Sequence, residues 1–134
     1  MLLVKTVLKP SQIQGVGVFA DEDIAPGTPV WQFSSGFDLS IDPAELRRLS
    51  GVSRDQFMKY AYVSKKSGKF ILCFDDARFF NHASRPNICC KDPTSPLNQE
   101  DVCVALRRIR TGEELTCDYR EFDAGPPEPF TLLS

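Results

Sequence analysis

Short apolar runs separated by turn-forming residues dominate the chain, and this pattern predicts a series of short β-strands. Residues 10–15 and the pair Pro26-Gly27 have the composition of turns between such strands. The polar, proline-containing segment 91–101 is predicted to be a loop. The runs that we expect to form strands are residues 2–8, 16–20, 29–33, 70–74 and 102–106.

Two short segments carry helix signals. Pro43 opens the segment 45–50, and Ser53 is placed to cap a second helix over residues 54–62. The apolar positions of the second segment recur at the spacing of one helical face. Many short strands with two short helices predict an α+β domain that is mostly β and is built from several small sheets.

The length and composition are those of one ordered domain. A chain of 134 residues can bury roughly two-thirds of the surface that it exposes when unfolded, so residues 1–134 are expected to form a single domain. A net charge of -2 argues against direct nucleic-acid binding. The N-terminus has neither a charged leader nor a long apolar run, so we expect no membrane association.

The five cysteines are an odd number without CxxC spacing, which argues against a disulfide framework and against a zinc cluster. Four of the five lie in apolar, strand-like runs, so we expect buried free thiols in a reducing compartment. This predicts a cytoplasmic protein, or a nuclear one if the source is eukaryotic. A single histidine with scattered cysteines also predicts no metal site. The cysteines are Cys73, Cys89, Cys90, Cys103 and Cys117.

Three features carry candidate chemistry, although each has an ordinary structural interpretation when it is taken alone. The single histidine, His82, could serve a hydrolase as a base, but it lies in a turn-rich segment and no GxSxG motif is present. The glycine pair of GVGVFA, residues 15–20, permits a close backbone approach, yet no helix follows it as in a dinucleotide-binding fingerprint. The motif GEELTCDY, residues 112–119, predicts a turn and a short strand that ends at Tyr119.

The order of these features along the chain changes their interpretation. GVGVFA at residues 15–20 is followed by RFFNHASRPN at residues 78–87 and by GEELTCDY at residues 112–119. This order resembles that of the SET-domain family of protein lysine methyltransferases, and the two longer motifs are highly specific for it. The stretch ADEDIAPGTPV and the central YAY also resemble the family, so the likeness runs from about Val4 to Phe122.

The resemblance implies a SET-domain (β-clip-like) fold of several small sheets, in which the C-terminal strand passes under a loop to give a knot-like arrangement. It also implies an enzyme that transfers a methyl group from S-adenosylmethionine to the ε-amine of a lysine in a protein or peptide substrate. The product of the cofactor would be S-adenosylhomocysteine, and no metal takes part. In such a site the cofactor and the lysine enter from opposite faces and meet in a narrow channel.

On the cofactor side, the resemblance assigns roles to two motifs. The main chain of Gly15, Val16 and Gly17 is expected to contact the methionine part of the cofactor. Asn81 is expected to bind that part through its side-chain amide. His82 is expected to present main-chain groups to the adenine, which gives the histidine a role without acid–base chemistry.

On the lysine side, Tyr119 is the expected catalytic tyrosine beside the transferring methyl group. Tyr60 and Tyr62 are the candidates for the aromatic walls of the channel, since aromatic faces can hold a cationic lysine or its methylated product. The alternative for these two is one core tyrosine and one surface tyrosine at a helix end. Cys117 lies where the family often has an aromatic residue linked to the number of methyl groups added.

The chain departs from the family pattern at a few points. Ala83 replaces the serine that usually follows the asparagine–histidine pair. The chain has no cysteine-rich segment before the domain and no zinc-binding cluster after it, so it resembles a minimal, single-domain member. The tail 123–134 is expected to close the cofactor site, with Phe122 or Phe130 against the adenine. The alternative for the tail is a frayed terminus.

Two other functions compete with a lysine methyltransferase. A non-catalytic SET-like module would bind a peptide or protein partner without chemistry, but the presence of Tyr119 and Asn81 favours the enzyme. A small cysteine hydrolase would depend on His82 alone. The sequence permits a homodimer, but no apolar stripe indicates one.

Overall fold

The computed structural model describes residues 1–91 and 100–125. Within these residues the chain forms short strands, two short α-helices and two 3-10 helices, which confirms the predicted mostly β, α+β class. The strands are β1 Thr6–Pro10, β2 Val16–Ala20, β3 Pro29–Gln32, β4 Leu39–Ile41, β5 Tyr62–Val63, β6 Phe70–Leu72, β7 Asn81–His82, β8 Ile88–Lys91, β9 Val102–Ala105 and β10 Thr116–Cys117. The helices are α1 Pro43–Leu46 and α2 Gly51–Met58, and the 3-10 helices are Asp76–Phe79 and Tyr119–Glu121.

The strands of the described residues are divided among four small sheets. β1 and β2 form an antiparallel hairpin, and β3, β9 and β8 form a three-stranded antiparallel sheet in that order. A second three-stranded antiparallel sheet has the order β4, β6, β5. β7 pairs with β10 in parallel, so two segments that are distant in sequence become direct neighbours.

The strands lie at the predicted positions, but their ends often differ from the prediction. The strand at 16–20 is confirmed in full as β2. The predicted strand 2–8 is wrong at its start, because β1 begins at Thr6. Leu2 instead forms an isolated bridge with Trp31, and the Met1 ammonium binds the Asp38 carboxylate at 2.7 Å. Leu2 therefore pairs with β3 instead of extending β1.

Both helices differ from their predicted bounds. Ser50, not Ser53, caps α2, since its Oγ accepts the Ser53 N–H at 3.2 Å. The helix ends at Met58, so the predicted helical position of Tyr62 is wrong. Tyr62 lies in β5 because it pairs with β6, opposite Ile71. Tertiary strand pairing therefore overrides the helical spacing of this segment.

A main apolar core joins the sheets that carry the sequence motifs. Its fully buried members include Val18, Val30, Ile88, Ile109 and Leu115, each 0% exposed. Burial of such an aliphatic side chain contributes about 1.5–3 kcal/mol before entropy is counted. A second, smaller cluster of Leu46, Val63 and Phe70 fixes the helices to the β4–β6–β5 sheet.

The expectation of free thiols throughout is wrong for one pair of cysteines. Cys90 and Cys103 are direct partners in the β8–β9 ladder and form a disulfide, with their Cα atoms 4.0 Å apart. Cys73, Cys89 and Cys117 are free. The sequence did not reveal this pair because the register of two antiparallel strands, rather than cysteine spacing, brings the two side chains together.

No helix in the described part of the chain is both long enough and apolar enough to cross a membrane. Across residues 1–91 and 100–125, no cluster of three or more histidine, cysteine, aspartate or glutamate side chains is arranged to hold a metal ion.

Candidate active site

The parallel pairing of β7 with β10 brings the two long motifs together. Asn81 lies opposite Thr116, and His82 lies opposite Cys117. Asn87, at the end of the first motif, strengthens this junction, because its buried side chain donates to the Glu114 carbonyl at 2.8 Å and accepts the Thr116 N–H at 2.9 Å. In the sequence, Asn87 is one residue of a turn-rich segment. In the structure, its hydrogen bonds link the two motifs.

Asn81 connects this junction to the glycine-containing turn before β2. Its amide nitrogen, Nδ2, lies 2.8 Å from Glu114 Oε2, 3.1 Å from the Gln14 carbonyl and 3.2 Å from the Val16 carbonyl. An amide nitrogen has two hydrogens, so three acceptors exceed what it can satisfy. The surplus acceptor capacity suits a further donor, such as an ammonium group.

Gly15, in the turn, and Gly17, in β2, are needed for different reasons. Gly15 has a φ of 49°, in the left-handed region, and a Cβ built there would have open space around it. At Gly17 a Cβ would lie 2.3 Å from Glu114 Oε2 and 3.2 Å from Asn81 Nδ2. Gly17 is thus needed because the Glu114 carboxylate and the Asn81 amide occupy the place of a side chain.

Glu114 is a site residue that sequence reasoning missed. Its carboxylate accepts the Ser11 hydroxyl at 2.7 Å as well as the Asn81 amide. The signal was present in the GEEL part of the last motif, but two adjacent glutamates gave no indication of which one faces inward. The first of them, Glu113, instead contacts Arg107 at the surface, at 3.0 Å.

The three tyrosines of the chain line one pocket, together with Phe80, Phe122 and both cysteines of the disulfide. The structure therefore brings Tyr60, Tyr62 and Tyr119 together, although Tyr60 follows α2, Tyr62 lies in β5 and Tyr119 follows β10. The alternative of one core and one surface tyrosine at a helix end stays open, because Tyr62 packs against the main core and Tyr60 is exposed just after the end of α2. The wall of the pocket is mainly aromatic and sulfur-containing.

Tyr119 is held at its hydroxyl end by the chain just before β7. The hydroxyl donates to the Phe80 carbonyl, and burial raises the pKa of the phenol to about 12. The phenol is therefore neutral near pH 7. Because its hydrogen is directed to Phe80, the oxygen offers its lone pairs to a group in the pocket.

The two wall tyrosines are in different environments. Burial raises the pKa of Tyr62, whose ring packs edge-to-face on Phe122 with 4.9 Å between centroids. The Arg78 guanidinium lies over the Tyr60 ring, 5.2 Å from its centroid. One face of the Tyr60 ring is therefore already in contact with a cation.

The cysteines do not suit a hydrolase. Burial raises the pKa of the Cys117 thiol, opposite His82 in the ladder, to about 12, and it raises that of Cys73 to the same value. A nucleophilic cysteine needs a lowered pKa, since the thiolate is the reactive form. The pKa of the Cys89 thiol is also raised, mainly by burial.

The start of the tail packs on β5. The Ala124 N–H donates to the Val63 carbonyl at 2.9 Å, and the Lys65 N–H donates to the Phe122 carbonyl at 3.1 Å. Phe122 thus lies in the tyrosine-lined pocket. Phe130, the other aromatic residue expected at the cofactor, lies outside the described residues.

Residues 15–120 match the SET domain in a comparison with known protein families. The chain belongs to the SET-domain family. The resemblance drawn from the motif order is thereby confirmed, and the four-sheet arrangement is the fold of this SET domain.

Relatives and solved structures agree with this assignment. Histone-lysine N-methyltransferase trithorax of Drosophila virilis is 32% identical over 123 residues, covering 82% of this chain and 3% of the relative. Human histone-lysine N-methyltransferase 2D is 28% identical over 120 residues, covering 87% of this chain and 2% of the relative. The Neurospora SET domain protein DIM-5, a histone lysine methyltransferase, superposes with a TM-score of 0.60 at 22% identity, covering 88% of this chain and 53% of that one. This SET domain therefore spans a small part of the two curated relatives.

Proposed function

We propose that this SET domain transfers a methyl group from S-adenosylmethionine to the ε-amine of a lysine in a protein or peptide. The observation that carries the proposal is the convergence of Tyr60, Tyr62 and Tyr119 on one pocket, next to the strand that bears Asn81. The names of the relatives, which are histone-lysine methyltransferases, support the same reaction.

The residues around Asn81 fit the methionine part of the cofactor. That part carries an ammonium group, and the surplus acceptors around Asn81 Nδ2 include the Glu114 carboxylate and two main-chain carbonyls. We assign the binding of the methionine part to the main chain of residues 15–17 and to Asn81, and the contact with adenine to the main chain of His82. When it is bound, the cofactor supplies the methyl group on a positively charged sulfur.

The pocket residues would help the substrate lysine to lose its proton and would orient its amine. A lysine amine has a reference pKa of about 10.4 and must lose its proton before it can act as a nucleophile. Removal of the amine from water in the pocket, and the positive charge on sulfur when the cofactor is bound, would disfavour the charged form and so lower this pKa, which reduces the need for a dedicated base. The Tyr119 oxygen can accept a hydrogen bond from the amine and so aim its lone pair. Holding two reactants in line can supply on the order of 7–11 kcal/mol of a barrier.

The proposal also covers the substrate and the location of the protein in the cell. The relatives make a histone lysine the first candidate substrate, and they support a nuclear location if the source is eukaryotic. The expectation of a reducing compartment rested on free thiols, and the Cys90–Cys103 bridge removes part of that basis. We propose further that residues 1–134 form one SET domain, with the tail 123–134 closing the cofactor side.

The proposal is tested with the purified chain. Calorimetric titration should detect binding of S-adenosylmethionine, and mass spectrometry should detect methyl groups on lysines of a peptide library that includes histone tails. Tyr119→Phe keeps the ring and removes the hydroxyl, so methyl transfer should fall on the order of 10²-fold with unchanged cofactor affinity. Tyr60→Phe is the matched control, because a wall role needs the ring and not the hydroxyl.

Each contrary outcome has a distinct meaning. An absence of cofactor binding would contradict the proposal and favour the non-catalytic, peptide-binding module. Binding without methyl transfer to any lysine would also favour that module. Full activity in Tyr119→Phe would contradict the role of Tyr119 while leaving the reaction in place.

A further inference from the structure

The His82 side chain makes a contact that its expected main-chain role does not explain. Its Nδ1 accepts the Tyr119 N–H at 3.1 Å, and the two rings lie 5.2 Å apart between centroids. An imidazole nitrogen that accepts a hydrogen bond carries no hydrogen itself. In this contact Nδ1 is the acceptor, and the ring hydrogen lies on Nε2.

The contact completes the start of a 3-10 helix. Tyr119 and Arg120 are the first residues of the helix Tyr119–Glu121, and the first N–H groups of a helix have no partner within it. The Asp118 carboxylate accepts the Arg120 N–H at 3.0 Å, and His82 accepts the Tyr119 N–H. The imidazole thus caps the Tyr119 N–H, as the Asp118 carboxylate caps the Arg120 N–H.

Both ends of Tyr119 are tied to one short segment of chain. Its hydroxyl donates to the Phe80 carbonyl, and its backbone N–H donates to the His82 ring. Asn81, between these two, contacts the turn before β2 through its amide. Tyr119 is therefore held by Phe80 and His82, the two neighbours of Asn81 in the sequence.

We propose that the His82 imidazole is a positioning residue that fixes Tyr119 for methyl transfer by accepting its backbone N–H. This inference rests on the proposed function. It gives the chain's single histidine a side-chain role in addition to the main-chain role expected at the cofactor.

The Tyr119 N–H is the nearer partner of the ring nitrogen. Nδ1 lies 3.1 Å from the Tyr119 nitrogen and 3.7 Å from the Asp118 carboxylate. That carboxylate is itself paired with Arg120 at 2.7 Å.

Two variants of matched shape separate the acceptor from the packing. His82→Asn places an amide oxygen at the position of Nδ1, whereas His82→Leu places a methyl group there. We expect His82→Leu to lower kcat about tenfold, as the loss of one hydrogen bond would, with unchanged cofactor affinity. His82→Asn should retain most of kcat, because its amide oxygen can accept the Tyr119 N–H.

The outcomes separate this inference from the proposed function. If the parent protein transfers no methyl group, the proposed function fails. The positioning contact is then still measured by hydrogen exchange in NMR, since the Tyr119 amide should exchange faster in His82→Leu than in the parent protein, and His82→Asn should keep the parent's rate of exchange. The inference is overturned if the two variants have equal rates of methyl transfer, or if the Tyr119 amide exchanges equally fast in both.

Discussion

Gly17 was selected from the sequence for one reason, and the structure requires it for another. The pattern GVG suggests a backbone that approaches a cofactor. In the structure, however, the space beside the Gly17 Cα is filled by the Glu114 carboxylate and the Asn81 amide. Glu114 cannot move freely, because Ser11 and Asn81 both bind it. A side chain at position 17 would therefore break these hydrogen bonds.

Gly17→Ala is expected to lower the free energy of unfolding by about 1–3 kcal/mol, the cost of displacing a hydrogen-bonded carboxylate. Urea unfolding measures the change. Gly51→Ala is the control, because a Cβ there has open space at the first position of α2 and should be neutral or stabilising. In the double variant Gly17→Ala with Glu114→Ala the losses should not add. Additive losses would contradict the assigned contact.

At the scale of elements, the start of α2 has two neighbouring serines that could each be its N-cap. The local sequence does not distinguish between them. Ser50 and Ser53 both suit the cap position by residue type. The structure selects Ser50, whose Oγ accepts the Ser53 N–H. The helix then ends at Met58, which frees the following residues to form β5 and to place Tyr60 and Tyr62 at the pocket.

Exchanging each serine tests the assignment of the cap. Ser50→Ala should lower the free energy of unfolding by about 1 kcal/mol, because the Ser53 N–H loses its acceptor. Ser53→Ala should cost less, since position 53 lies inside the helix and alanine favours helix there. Thermal or urea unfolding of the two variants decides between them. A larger loss in Ser53→Ala would restore the cap that the sequence suggested.

At the scale of the whole molecule, contacts between distant segments hold the small sheets together. The β7–β10 pair is parallel, and β8 and β9 are joined by the Cys90–Cys103 disulfide across a sequence separation of 13. A covalent link of this kind stabilises mainly by restricting the unfolded chain. The stability of the sheet that contains Trp31 and the wall of the pocket should therefore depend on oxidation.

Reduction with dithiothreitol should lower the free energy of unfolding by about 3 kcal/mol, the chain-entropy value for a loop of this length. Cys89→Ala should respond to the reductant as the parent does, while Cys90→Ala with Cys103→Ala should not respond. Alkylation of the unfolded, unreduced protein should label Cys73, Cys89 and Cys117. Labelling of all five cysteines would contradict the bridge.

The sequence by itself determined the family, the α+β class and the residues of the two long motifs. These follow from local order along the chain, such as apolar runs of strand length and the spacing of GVGVFA, RFFNHASRPN and GEELTCDY. It also singled out Tyr60, Tyr62 and Tyr119, which line one pocket, and Asn81, which contacts Glu114. Their catalytic and binding roles stay predictions until the variants are measured.

Only the tertiary structure decided which groups meet. The register of β8 with β9 pairs two cysteines that no spacing rule connects, and the pairing of β5 with β6 overrides a helical pattern. Glu114 and the His82 ring acquire their partners from segments far away in sequence. The physical reason is the same in each case. Propensity and periodicity act over a few residues, whereas strand register and side-chain hydrogen bonds depend on how distant segments pack.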